Sequence, residues 1–262
     1  MAVPLGRILA CLLPLLLGAA PVRAEPPRKD MLLYCGITMI RPMTEIARAF
    51  EAQAPVRITL SQGGSEDLYQ SLKGSRQGDL YLPGEPTFRT KYLPEGLLGD
   101  VALVGHNQLA MVVRKGNPKG LKGDLKELLR KDLLVIVGDA RSGSVGKETK
   151  DVLDMAGIYS KVVQNAVLLA PDSRVLSNAM RKGEADVILN WRATAFFPEN
   201  APLMEVIDLD TRKARPQELL LSLLTFSPNP ELAKRFMAFT AGPEGQAIFR
   251  RWGFLDNSKP RP

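Results

Sequence analysis

Leu32-Leu33-Tyr34-Cys35-Gly36-Ile37-Thr38-Met39 is the stretch around which the chain is organised, and residues 58–65, Ile-Thr-Leu-Ser-Gln-Gly-Gly-Ser, repeat its plan. In both, an apolar run with strand character ends at glycine and a hydroxyl residue, and a helical pattern follows. Successive strand-helix units build parallel sheets, and the N-termini of their helices attract anions. The two stretches therefore predict an α/β protein with an anion site.

The N-terminus has the composition of a cleaved secretory signal peptide. Arg7 precedes a mostly apolar segment, residues 8–20, and Val22-Arg23-Ala24 has the small-x-small pattern of a cleavage site. An N-terminal membrane anchor is the alternative, but the apolar segment is shorter than the roughly 20 residues that span a bilayer, and Pro14 interrupts it. We therefore expect an exported protein that works in the periplasm.

Cysteine and histidine are too scarce for most catalytic or metal-binding arrangements. Of the two cysteines, Cys11 lies in the signal segment, where a lipoprotein role is disfavoured because the apolar run continues past it. Cys35 is then alone and forms no intramolecular disulfide. It is either a buried small side chain, which we favour, or a reactive thiol. His106 is the only histidine, which excludes mechanisms that need two and a clustered Cys/His metal site.

The charge balance is basic. The formal net charge is +7, and removal of Arg7 and Arg23 with the signal segment leaves +5. A positive protein attracts anionic partners over long distances, although ordinary solubility charge is an equally good explanation. Nucleic acid is disfavoured as a partner because lysine and arginine are mixed with acidic residues and are not interleaved with aromatic ones.

Apolar periodicity indicates alternating strands and helices along the mature chain. The first part has the order strand, helix, strand, helix, strand, which is typical of a parallel α/β lobe. Ligands of such sheets bind beyond the carboxyl ends of the strands. The predicted strands are 31–34, 56–60, 78–82, 107–113, 133–137, 185–189, 205–209 and 219–226, and the predicted helices are 43–50, 68–72, 124–129, 147–155, 175–180 and 230–252, the last broken at Gly242-Pro243.

A glycine-rich loop, residues 138–146, repeats the strand-to-helix plan in the second half of the chain. Gly146-Lys147 suggests a nucleotide P-loop, but Arg141 stands where that motif requires its first glycine and Glu148 where it requires serine or threonine. A nucleotide site is therefore disfavoured. The loop still offers backbone N–H groups at a helix start, which suit any anion.

Two segments resemble a known family. Residues 107–118, Asn-Gln-Leu-Ala-Met-Val-Val-Arg-Lys-Gly-Asn-Pro, resemble the crossover strand of the type II periplasmic solute-binding proteins of ABC importers. Residues 243–249, Pro-Glu-Gly-Gln-Ala-Ile-Phe, followed by Gly253-Phe254, resemble the C-terminal helix of these proteins. Within them the chain is most similar to the molybdate-binding family, over nearly all of residues 30–255.

The resemblance implies an α/β fold of two Rossmann-like lobes joined by crossover strands, with the ligand between the lobes. Closure of the lobes would bury the ligand and present a distinct surface to a membrane permease. We expect hinges near His106-Asn107 and near residues 205–209. The implied division is a signal peptide at 1–24, the first part of lobe one at 25–106, lobe two at 107–204, and a return to lobe one with C-terminal helices at 205–262.

The resemblance also implies which residues hold an oxyanion. Family members use a hydroxyl group after the first strand, a second hydroxyl in the glycine-rich loop after the second strand, and backbone N–H groups from the second lobe. Many add a tyrosine hydroxyl, for which this chain has an asparagine whose amide can also donate. The matching residues are Thr38, Gly64, Ser65, Val145, Ser173 and Asn190.

The identity of the anion stays open at this point. Cys35-Gly36-Ile37-Thr38 departs from the Ala-Ala-Ser run of the family, so a molybdate-like or tungstate-like ion competes with sulfate, phosphate-like ions and ferric or organic-anion complexes. Arg141, Arg174 and Arg192 are expected near the cleft edges. Each either binds an oxyanion through its planar fork or lies solvated at the surface.

The implied function is a monomeric binding protein that delivers a small oxyanion to an ABC permease in the inner membrane. We expect no cofactor, no bound metal cation and no nucleic acid. A sensory module that reports to a membrane receptor is an alternative with the same fold. An enzyme is a weaker one, because Cys35 has only His106 as a possible histidine partner, and His106 falls at the expected hinge.

Overall fold

The computed structural model describes residues 29–257, so the predicted signal peptide lies outside the described residues. Ten strands form two sheets, and eight α-helices cover them. The strands are β1 Lys29–Gly36, β2 Val56–Gly63, β3 Leu80–Leu82, β4 Leu98–Asn107, β5 Leu109–Arg114, β6 Val135–Gly138, β7 Leu168–Ala170, β8 Val187–Trp191, β9 Met204–Asp208 and β10 Gln217–Leu224. The helices are α1 Ile40–Glu51, α2 Ser65–Ser75, α3 Thr87–Tyr92, α4 Ser144–Met155, α5 Tyr159–Asn165, α6 Ser173–Arg181, α7 Pro230–Ala241 and α8 Pro243–Arg251.

Each sheet has five strands and mixed direction. The first lobe has the order β2-β1-β3-β10-β4, and the second has the order β7-β6-β8-β5-β9. In the first lobe β1 runs parallel to β2 and β3, while β10 is antiparallel to β3 and β4. In the second lobe β6 runs parallel to β7 and β8, while β5 is antiparallel to β8 and β9. Two α/β lobes joined by crossover strands confirm the predicted fold class.

The first strand shows why this part of the chain forms a central strand. Successive side chains of a strand point to opposite faces of the sheet. Leu33 and Cys35 pack with Met43 of α1 in one core cluster, whereas Tyr34 packs with Leu72 of α2 in another. Because both faces of β1 are covered by helices, the strand is apolar from Met31 to Cys35, as buried parallel strands usually are.

The lobes are connected by two short crossings. Gln108 alone separates β4 of the first sheet from β5 of the second. Its side-chain amide donates to the carbonyl oxygen of Ala214 at 3.2 Å, and Ala214 belongs to the return crossing. The return lies between Asp208 and Gln217, later than the predicted boundary at residue 205, because β9 pairs with β5 in the second sheet.

Within residues 29–257, no helix combines the length and the apolar character that a membrane span requires.

Candidate functional site

A small cavity of about 30 Å³ lies between the lobes, at the carboxyl ends of the parallel strands. Both lobes contribute the loops that follow these strands and the first residues of the helices after them. The wall consists of Gly36, Ile37, Thr38, Met39, Gly63, Gly64, Ser65 and Gly84 from the first lobe, and of Gly143, Ser144, Val145, Pro171, Asp172 and Ser173 from the second.

Two long helices begin at this cavity without a capping side chain. α2 starts at Ser65 after Gly64, and α4 starts at Ser144 after Gly143; no side chain in the described part of the chain caps either N-terminus. The first N–H groups of a helix have no partner within the helix. At an uncapped N-terminus these donors, together with the positive end of the helix dipole, are available to an anion.

The third helix at the cavity, α6, is capped. Asp172 accepts hydrogen bonds from the backbone N–H groups of Arg174 at 2.7 Å and Val175 at 3.0 Å. This leaves the N–H group of Ser173 as the first free donor of α6. Asp172 is also the one charged residue among the described residues of the wall, so an anion here would be held by neutral dipoles and not by a cation.

Four hydroxyl groups line the cavity, two from each lobe: Thr38 and Ser65, and Ser144 and Ser173. Thr38 Oγ1 lies 3.5 Å from Ser173 Oγ, so these two groups meet across the cleft. Ser65 Oγ accepts a hydrogen bond from Gly84 N at 3.0 Å, which fixes the oxygen and leaves the hydroxyl proton free to donate. Three of these groups match positions that the resemblance implied, and Ser144 was missed.

Close approach between the lobes depends on Gly84. A Cβ atom at this position would lie 2.3 Å from Ser144 Oγ, closer than non-bonded atoms can approach. Gly146 has a similar role within the second lobe, because a Cβ atom there would lie 1.9 Å from the carbonyl oxygen of Asp139. The glycine-rich sequence of these loops therefore lets helix starts and strand ends approach each other closely around the cavity.

Asn190 does not line the cavity, in contrast to the direct contact that the resemblance implied. It is fully buried, and its Nδ2 donates to the carbonyl oxygen of Ser173 at 3.2 Å and to Ser177 Oγ at 3.1 Å. Its Oδ1 accepts from Trp191 N at 2.8 Å. Because both amide hydrogens are used within the second lobe, Asn190 supports the start of α6 from behind.

The other residues that the resemblance implied, Thr38, Gly64, Ser65, Val145 and Ser173, all contribute to the wall. They come from loops after four different strands, so the fold brings together residues far apart in sequence. Their role in binding stays a prediction.

The three arginines expected at the cleft edges lie outside this cavity, and each is paired with an acidic residue. Arg141 contacts Asp139 at 2.8 Å, and its side chain is 86% exposed. Arg174 contacts Asp172 at 3.2 Å. Arg192 contacts Asp208 at 2.9 Å, next to the return crossing.

A second chamber, of about 240 Å³, adjoins the cavity. The two spaces share Ile37, Thr38 and Ser173 as walls. The chamber is larger and more strongly charged than the cavity, because three guanidinium groups and one carboxylate line it. These are Arg41, Arg174, Arg181 and Glu199.

Cys35 and His106 do not form a catalytic pair. The Cys35 thiol is fully buried and donates weakly to the carbonyl oxygen of Gly36 at 3.6 Å, and burial raises the pKa of the thiol far above its usual value. A thiol in this state is a poor nucleophile. The His106 ring contacts the carbonyl oxygen of Asp256 through Nδ1 at 2.7 Å, so it is engaged at the crossing between the lobes.

Among residues 29–257, no cluster of three or more His, Cys, Asp or Glu side chains has the arrangement of a metal site.

Glu148 links the lobes below the cavity. It lies on α4 of the second lobe and accepts a hydrogen bond from Gln217 Nε2 of the first lobe at 3.0 Å. Its side chain is buried, and this burial raises its pKa to about 7, although the Gln217 bond acts in the opposite direction. The contact between the lobes therefore includes a carboxyl group that titrates near neutral pH.

Two α/β lobes with a polar cavity at their junction are the architecture of a two-lobed solute-binding protein. The chain belongs to the family of bacterial extracellular solute-binding proteins, which it matches over residues 31–255. Members of this family are binding proteins for solutes.

Three proteins are similar to this chain over most of its length. A Haemophilus influenzae protein described as a binding protein is 24% identical over 227 residues, covering 86% of this chain and 91% of the relative. The substrate-binding domain assigned to a molybdenum ABC transporter of Clostridium difficile is 20% identical, with a TM-score of 0.68 over 87% of this chain and 98% of that one. The sulfate-binding protein of Mycobacterium tuberculosis is 20% identical, with a TM-score of 0.77 over 87% of this chain and 86% of that one. At these identities the structural likeness shows the fold alone.

Proposed function

We propose that this protein is the substrate-binding component of an ABC importer and that it captures a small oxyanion group in the cavity between its lobes. The observation that carries the proposal is the convergence of the two uncapped N-termini, those of α2 and α4, on a cavity lined by four hydroxyl groups. The N-cap residue of each helix is a glycine, so the first N–H groups of α2 and α4 have no side-chain acceptor. An anion that accepts from the free N–H groups would take the place of both caps.

The cavity favours a dehydrated anion over a cation or a neutral solute. Its described walls offer backbone N–H and hydroxyl donors and contain no lysine or arginine. Donors fixed by the fold bind an anion without reorganising, and they select by size and by the number of acceptor oxygens. Its volume of about 30 Å³ limits the enclosed group to a few heavy atoms, as in sulfate, phosphate, molybdate or tungstate.

Release would follow from opening at the two crossings. Thr38 and Ser173 lie on opposite lobes and meet across the cavity, so separation of the lobes would divide the set of donors and weaken the hold on the anion. In this mechanism the permease would first dock on the closed form and then bind the open form more tightly, which would favour opening and let the ligand pass into the membrane channel.

A panel of sodium molybdate, tungstate, sulfate and phosphate tests the proposal by thermal unfolding and calorimetry. An ion at about 100 times its dissociation constant should stabilise the protein by about 2.7 kcal/mol. Chloride and nitrate at the same ionic strength are the controls for unspecific salt effects. If none of the four oxyanions stabilises the protein more than chloride does, the proposed function is wrong.

A further inference from the structure

The second chamber provides space, next to the cavity, for further atoms of a ligand whose oxyanion group is bound in the cavity. It shares Thr38 and Ser173 with the small cavity, and both residues carry hydroxyl groups that line the two spaces. A ligand held at these hydroxyls therefore has room on one side for further atoms. The chamber, at about 240 Å³, is eight times as large as the cavity of about 30 Å³, which is enough for a short organic chain.

Helix α6 provides a continuous wall from the cavity into the chamber. Ser173, Ser177 and Arg181 all line the chamber, and their spacing of four residues places them along one face of the helix. From Ser173 to Arg181 this face rises by about 12 Å. The flexible arginine side chain can shorten the distance that a ligand must span to reach the guanidinium group.

Arg181 is the cation in the chamber that has no acidic partner among residues 29–257. Arg41 is paired with Glu199, and Arg174 with Asp172. The Arg181 guanidinium instead donates to two neutral amide oxygens, those of Asn200 at 2.7 Å and of Asn178. A half-buried guanidinium with only neutral partners keeps its full charge for an anionic group of a ligand.

The groove on the other side of the cavity offers no unpaired cation among its described residues for an anionic group of the ligand. It is lined by Lys91, Arg141 and Lys147, and it shares only the backbone of Gly143 with the cavity. Each of these three cations is paired with an acidic residue, at 2.9, 2.8 and 2.7 Å respectively. The unbalanced positive charge therefore lies on the side of Arg181.

We propose that the ligand is a small organic ester of an oxyanion that also carries a carboxylate. The phosphate or sulfate group would occupy the cavity, the short organic part the chamber, and the carboxylate the neighbourhood of Arg181. This inference rests on the proposed function and narrows its substrate class.

Calorimetry with matched pairs of ligands tests the inference. Methyl phosphate and 2-phosphoglycolate differ by a carboxylate, as do methyl sulfate and L-serine O-sulfate, whose amino group is a further difference. In at least one pair the carboxylate-bearing ester should bind ten times more tightly or better. Arg181→Gln should remove this advantage while changing the affinity for the inorganic ion less than twofold. Arg181→Lys should restore part of it.

Arg141→Gln is the matched control, since it removes one guanidinium group from the groove on the other side. It should keep the full preference for the carboxylate ester. The inference is overturned if inorganic oxyanions bind but neither carboxylate ester binds more tightly than its methyl ester. It is also overturned if Arg141→Gln removes the preference for the carboxylate ester and Arg181→Gln does not. The proposed function survives both results. If no inorganic oxyanion and no ester binds, both proposals are wrong.

Discussion

Glu148→Gln tests how the two lobes meet. Glu148 accepts from Gln217 across the junction of the lobes, and its burial raises its pKa to about 7. Neighbouring charges act in both directions: Asp151 and Glu85 raise the pKa further, and Lys147 lowers it. Glutamine has the shape of the protonated acid and keeps the carbonyl oxygen that accepts from Gln217, so the substitution fixes the uncharged state at every pH.

The sign of the effect follows from the direction of the pKa shift. The folded protein with its lobes in contact binds the Glu148 proton more tightly than a hydrated carboxyl group does. The stabilisation from this proton is fully present below the ordinary pKa of 4.5 and is lost as the pH rises through about 7. At 1.36 kcal/mol per pKa unit, the largest difference between the two limits is about 3 kcal/mol.

Urea unfolding of the wild type and of Glu148→Gln at pH 5 and at pH 8 measures this difference. At pH 8 the variant should be more stable by about 2–3 kcal/mol. At pH 5, half a unit above the ordinary pKa of 4.5, only part of this stabilisation is lost, so the difference between the two proteins should shrink to about 1 kcal/mol. Glu231→Gln is a suitable control because the Glu231 side chain is 87% exposed, and its effect should be small at both pH values.

The reasoning fails if Glu148→Gln changes the free energy of unfolding equally at pH 5 and pH 8. That result would show that water reaches the carboxylate between the lobes and that its pKa is close to the ordinary value. A destabilised variant at pH 8 would be a stronger contradiction, because it would mean that the charge itself contributes to the contact with Gln217.

Three further substitutions test the cavity. Ser65→Ala should weaken the affinity for the oxyanion that binds by about 1–3 kcal/mol, measured by calorimetry, whereas Thr225→Ala, an exposed hydroxyl in the first lobe, should not. Gly84→Ala places a methyl group 2.3 Å from Ser144 Oγ. The methyl group should hinder closure of the lobes and weaken oxyanion binding by about 1–3 kcal/mol. If the variant contracts on ligand addition as much as the wild type does, measured as the radius of gyration, this prediction is contradicted. Asp172→Asn keeps a good helix cap but removes the negative charge from the wall, so sulfate should bind more tightly by about 1 kcal/mol; weaker sulfate binding would show that the carboxylate supports the site.

Local patterns were sufficient to predict most of the first lobe. β1, α1, β2 and α2 follow from runs of apolar residues that change from strand to helix spacing at Gly36 and Gly63. The break between α7 and α8 falls at Gly242, as the Gly-Pro pair indicates. These features depend on residues close in sequence, so the sequence contains the information for them.

Features that depend on distant partners were not predicted. β4, Leu98–Asn107, was missed because its hydrophobic pattern is irregular, and its pairing with β10 is interrupted by register shifts after Leu219 and Ser222. The predicted strand at 107–113 begins two residues before β5 does, because Asn107 ends one sheet and Leu109 begins the next. Only the pairing of strands distant in sequence, β4 with β10 and β5 with β8 and β9, shows where the chain leaves a lobe.

The cavity also combines residues that local sequence predicts with residues that only distant contacts identify. Thr38 and Ser65 follow directly from their strands, whereas Ser144 is one of several small residues in its loop, and only the approach of Gly84 from the other lobe singles it out. Asn190 shows the reverse. A position on β8 near the cleft does not fix which face its side chain occupies, and hydrogen bonds to α6 turn the amide away from the cavity.

The uncapped helices connect the stability of the protein to its ligand. α2 and α4 begin after Gly64 and Gly143, so no side chain accepts from their first N–H groups, while α6 at the same cavity is capped by Asp172. The free donors of α2 and α4 therefore face the cavity from both lobes. A bound oxyanion would restore the missing acceptors on both lobes at once, so ligand binding, helix stability and lobe closure should be a single coupled equilibrium.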